Sequence, residues 1–107
     1  MNKPDRWVVL KMSTQDSETI YKVFATWFGG YLDGDSWKIN SGITDMREDE
    51  DYFYFIGFSG SKYACRKGAY GTNSYTHGVL TSIIDNAHKT NSSVEVMPED
   101  TDWSSIF

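Results

Sequence analysis

The run Glu48-Asp49-Glu50-Asp51-Tyr52-Phe53-Tyr54-Phe55-Ile56-Gly57-Phe58 leaves the chain little choice of local structure. Consecutive acids repel one another and resist burial, so they belong at a solvated turn. The aromatic and β-branched residues after them favour a pleated strand over a helix. Upstream, Trp37, Ile39 and Ile43 share a face of Trp37-Lys38-Ile39-Asn40-Ser41-Gly42-Ile43. That alternation predicts a strand that enters the acidic turn and returns through Tyr52 to Phe58.

The remaining elements follow from the same kind of reading. Trp7 to Met12 reads as a strand, Thr14 to Ser17 as a turn and Ile20 to Trp27 as a second strand, together a hairpin. On its second strand Tyr21, Val23, Ala25 and Trp27 form the expected core face. Gly29 to Asp35 is a loop punctuated by glycine and aspartate that carries Tyr31 and Leu32. Ser59-Gly60-Ser61 makes a tight turn, and Lys62 to Lys67 resumes the alternation with Tyr63 and Cys65 on one side. A second glycine-bearing loop, Gly68 to Thr72, leads to Asn73 or Ser74 as the cap of a helix. In that helix Val79, Leu80, Ile83, Ile84 and Ala87 recur at helical spacing, and Val94 to Met97 is a short last strand. The expected architecture is α+β, an antiparallel β-sheet of about five to six strands with one α-helix packed on one face. It forms a single domain over 1–107, with 98–107 an acidic and aromatic tail docked on the sheet.

Charge and cysteine usage narrow the function classes. A net charge of −5 and a pI near 4.8 argue against direct nucleic-acid binding, which rests on clustered Lys and Arg. A partner with a basic surface is the better match. Cys65 is the only cysteine, so no intrachain disulfide forms and a reducing interior is expected. The start Met1 to Arg6 carries no long apolar segment, which predicts a cytoplasmic protein without a membrane span.

No residue pattern marks a catalytic site, a metal site or a cofactor site. Cys65 and His77 lie near each other across a loop, but a buried structural thiol and an exposed helical histidine account for them. His88 and Asp85 lack metal-ligand spacing with His77. The acidic turn lacks the ligand periodicity of a calcium loop. The best small-ligand candidate is a phosphate or nucleotide at Arg66, Lys67, Gly68, Tyr70, Gly71 and Ser74, a strand-to-helix loop with two cations. Surplus aromatics point instead to protein binding, since Trp and Tyr are enriched at interface centres. Tyr31, Leu32, Trp37, Tyr70 and Tyr75 are the expected protein-binding residues, with Tyr31 and Tyr70 as anchors, and Glu48, Asp49, Glu50 and Asp51 steer association. A free sheet edge leaves a homodimer open.

Three segments carry a further likeness: Gly29-Gly30-Tyr31-Leu32-Asp33-Gly34-Asp35-Ser36-Trp37-Lys38-Ile39-Asn40-Ser41-Gly42-Ile43, Gly57-Phe58-Ser59-Gly60-Ser61 and Lys67-Gly68-Ala69-Tyr70-Gly71. Through them the middle half of the chain resembles small uncharacterised proteins of tailed bacteriophages. The resemblance implies no activity or cofactor. It implies a viral, non-enzymatic inhibitor that binds a host protein, such as a CRISPR, restriction or nucleotide-signalling defence or the transcription machinery. The alternative expectation is a protein that sequesters a small ligand at the 66–76 loop and helix start.

Overall fold

The computed structural model describes residues 1–29 and 34–107, with the backbone alone described at Ser17. The fold is α+β. Its strands are β1 (Arg6–Thr14), β2 (Ser17–Trp27), β3 (Ser36–Ile39), β4 (Ile43–Glu48), β5 (Tyr52–Gly57), β6 (Lys62–Arg66) and β7 (Ser92–Val96). Between β6 and β7 lies α1 (Ser74–Lys89), and a single 3-10 turn covers Trp103–Ser105.

The strands form two antiparallel sheets instead of the expected one. The first has four strands in the order β3-β2-β1-β7, and the second has three in the order β4-β5-β6. The segment read as one strand from Trp37 to Ile43 divides at Asn40. There the chain leaves the first sheet, and Ile43 begins β4 in the second. Asn40 makes the crossing possible by acting as the last rung of the β2–β3 ladder. Its backbone N–H donates to the Val23 carbonyl at 3.1 Å, and its Oδ1 accepts from the Val23 N–H at 2.9 Å.

The helix covers one face of the four-stranded sheet and the second sheet covers the other. On the helix side Val8, Leu10, Phe24, Leu80 and Val94 are buried, with Val79, Ile83, Ile84 and Ala87 packed around them. Between the sheets lie Trp7, Val9, Val23, Ala25, Met46, Phe55, Tyr63 and Cys65. Both faces of β1 and β2 are therefore core, which explains the unbroken apolar run Val8-Val9-Leu10. The face carrying Phe24 and Thr26 is buried as fully as the Val23 and Ala25 face expected to be the core.

The inter-sheet core is largely aromatic. The Trp7 ring meets Phe53, Phe55, Tyr70 and Trp103 at centroid distances of 5.9, 5.6, 4.8 and 6.2 Å. Trp103, 1% exposed, brings the tail into this core, and Phe107 packs edge-on against Tyr21 at 5.4 Å. The helix begins at Asn73 with a capping box. Asn73 Oδ1 accepts from the Thr76 N–H, and the Asn73 N–H donates to Thr76 Oγ1. Among the described residues no helix is long and apolar enough to cross a membrane.

Candidate functional site

The loop between β6 and α1 is held from inside the protein. Where β7 ends, Ala69 to Gly71 takes over the free side of β1. Trp7 N–H donates to the Ala69 carbonyl at 3.3 Å, and Gly71 N–H donates to the Trp7 carbonyl at 2.8 Å. The Tyr70 hydroxyl fills the gap between this bridge and β7, accepting from Val9 N–H at 3.1 Å and donating to the Met97 carbonyl at 2.6 Å. Burial pushes the Tyr70 hydroxyl pKa up to about 12. Gly71 sits so close to the Arg6 guanidinium that a Cβ there would lie 3.1 Å from Arg6 Nη2. Tyr70, expected as a surface anchor, is thus half-buried, with its hydroxyl tying the loop to β1 and Met97.

The phosphate reading meets a loop in which several groups are already engaged, while the Arg66 side chain is exposed. The Lys67 ammonium pairs with Glu48 at 2.6 Å and lies 4.9 Å from the Phe53 ring centroid. The Arg66 carbonyl accepts from Trp7 Nε1 at 2.9 Å. At the helix start, Asn73 occupies the Thr76 N–H, its carbonyl accepts from His77 N–H, and its amide donates to Asp35. An anion there would face the Asp35 carboxylate, which repels it. Gly68 and Ser74 are exposed beside this arrangement.

The acidic turn is a solvated hairpin tip built by Asp49. Its Oδ1 accepts from the Asp51 and Tyr52 amides at 2.9 and 2.8 Å, and its Oδ2 accepts from the Tyr54 hydroxyl at 2.6 Å. The Tyr54 hydroxyl and the two amides hold the Asp49 carboxyl below the usual carboxylate range. Glu48, Asp49, Glu50 and Asp51 are all exposed.

Two of the expected protein-binding aromatics, Trp37 and Tyr75, flank one buried hydrogen bond. Trp37 stands opposite Thr26 in the β2–β3 ladder, and Thr26 Oγ1 donates to Thr76 Oγ1 at 3.0 Å, one residue beyond Tyr75. Trp37 stacks on Phe24 with centroids 5.6 Å apart and remains 38% exposed, while Tyr75 is 55% exposed. Tyr31 and Leu32 lie outside the described residues.

The most exposed large apolar side chain with a well-held backbone is one that sequence reasoning did not select. Phe58, 83% exposed, projects from the β5–β6 turn. Its N–H donates to the Gly42 carbonyl at 2.7 Å, and the next amide, Ser59 N–H, donates to Ser41 Oγ at 3.0 Å. Gly57 permits this clamp, since a Cβ there would meet Ser41 Oγ at 3.1 Å. Beside Phe58 opens a cleft of about 670 Å³, with Ile20, Tyr21, Ile43, Ile106 and Phe107 among its walls. The readable signal was a phenylalanine inside the turn Gly57-Phe58-Ser59-Gly60-Ser61, where polar residues are the norm. This cleft and the acidic turn lie at opposite ends of the β4–β5 hairpin, roughly 20 Å apart at about 3.3 Å per residue.

Cys65 and His77 do not form a pair. Cys65 is buried between the sheets, and His77 is exposed on the helix across the four-stranded sheet. Burial pushes the Cys65 thiol pKa far up, away from a reactive thiolate. Among the described residues no three potential metal ligands converge. Comparison of the chain with protein-family models, curated protein sequences and solved structures finds no match.

Proposed function

We propose that this protein is a binding factor that docks another protein at the Phe58 cleft. The observation that carries the reading is a phenylalanine 83% exposed on a turn that hydrogen bonds hold rigid. Covering a Phe side chain stabilises a complex by about 1.5–3 kcal/mol, and a pre-ordered backbone loses little freedom when it binds. Ile20, 45% exposed, extends the apolar surface across the cleft mouth. The finer form of the proposal is a phage factor that blocks a host protein. Its support is the likeness of the glycine-tyrosine segments together with the net charge of −5, which favours a basic partner surface. The acidic turn acts at a distance from the cleft, through association rate and salt dependence.

The test is affinity capture of the tagged chain from a bacterial lysate, with the wild type and Phe58→Ala compared at low and high salt. A stoichiometric protein retained by the wild type and lost by Phe58→Ala is the expected result. Equal retention by both chains removes Phe58 from the interface. Recovery of a small molecule with no protein overturns the reading. Phe58→Ala itself should leave stability within about 0.5 kcal/mol, because the ring contributes little to either core.

A further inference from the structure

Strand β2 is longer than its neighbour on one side. It pairs with β1 down to Ser17, but β3 pairs with it only from Phe24 to Trp27, and Asn40 adds one rung at Val23. Backbone groups along an antiparallel strand alternate between its two sides. Val23 directs its N–H and carbonyl toward Asn40, whereas the Thr26 carbonyl accepts from Asp5 N–H beside β1. The same alternation directs the N–H and carbonyl groups of Tyr21 away from β1, along the line that β3 vacates, and the Thr19 carbonyl with them, trans to the Ile20 N–H; beyond it the β1–β2 register shifts between Ile20 and Ser17. No described residue pairs with them there. Thr19 and Tyr21 are also walls of the Phe58 cleft.

From this ledge we infer that the cleft takes an extended peptide segment of the partner, added as a strand along Thr19 to Tyr21. The inference rests on the protein-binding reading and names the form of the ligand. An added strand supplies backbone donors and acceptors to the open ledge, and its alternate side chains enter the cleft. Those side chains are apolar, matching Ile43 and Phe107, with Phe58 closing over them. Glu18 is the one charged residue among the described walls, so the segment carries a Lys or Arg at that end.

The probe is a displayed library of random peptides of about ten residues, selected on the full chain. Enriched peptides should alternate apolar residues and carry a basic residue near one end. Amide exchange supplies the decisive readout. On binding such a peptide, the Tyr21 amide should slow by about tenfold or more, while the Ile20 amide, already directed at β1, changes little. Peptide binding that needs Phe58 but leaves the Tyr21 amide fast overturns strand addition, and protein docking at the cleft survives. A host protein captured through Phe58 with no peptide enriched also overturns the inference alone. No captured protein and no enriched peptide overturns both readings.

Discussion

Replacing Tyr70 with Phe removes one oxygen and leaves the ring where it is, in contact with Trp7 and Trp103. Two backbone groups lose a partner, the Val9 N–H and the Met97 carbonyl. A buried group left unpaired costs about 1–3 kcal/mol, and this site is only partly buried, so the expected loss is about 2–4 kcal/mol. For a domain near this size, 1 kcal/mol lowers Tm by roughly 4 °C, which gives a fall of about 8–16 °C. Thermal and urea denaturation followed by circular dichroism measure it, and a fall under about 3 °C refutes the role of the Tyr70 hydroxyl in holding this loop. The pH dependence offers a second check. Burial raises the folded-state pKa of Tyr70 to about 12 from a reference of 10.0. The neutral hydroxyl thus stabilises the fold fully below pH 10, and that stability is lost as pH rises toward 12. The wild type and Tyr70→Phe should differ most at neutral pH and converge across that window. A constant gap would show that the ionisable hydroxyl is not responsible.

Three further perturbations test the rest of the architecture. Asn73→Ala removes the capping box and should cost about 1 kcal/mol in urea unfolding, with no change if other groups satisfy the helix amides. Trp103→Ala should cost about 3–5 kcal/mol by emptying the inter-sheet core, and a loss under about 1 kcal/mol would mean that the tail is not docked. Cys65 should resist a thiol reagent at pH 8 in the native state and react at once in urea; rapid native labelling would contradict its burial.

The local elements were legible because their signals are local. The acidic tip, the alternation after it, the helical stripe from Val79 to Ala87 and the Asn73 cap each depend on residues a few positions apart. The division into two sheets was not legible, since it turns on Asn40 imitating a strand residue opposite Val23. Nothing near Asn40 in sequence announces that partner. The same limit applies to Tyr70. A tyrosine in a glycine-bearing loop reads as exposed, and only the arrival of β1 and Met97 engages its hydroxyl. The aromatic surplus, read as a sign of protein binding, largely builds the inter-sheet core, and composition could not separate Trp103, which is buried, from Phe58, which is not.

A strand with one wet face has its alignment set by polarity, because a slip of one position would turn its apolar side chains to water. β1 has no such safeguard. With both faces buried, a slip would exchange Trp7 and Val9 for Val8 and Leu10, one apolar set for another. The correct alignment is chosen by shape and by a few addressed contacts. The Trp7 indole reaches the Arg66 carbonyl at 2.9 Å, and Val9 N–H reaches the Tyr70 hydroxyl. These two side chains act as index marks for the central strand, so losing both would make the molecule less unique as well as less stable.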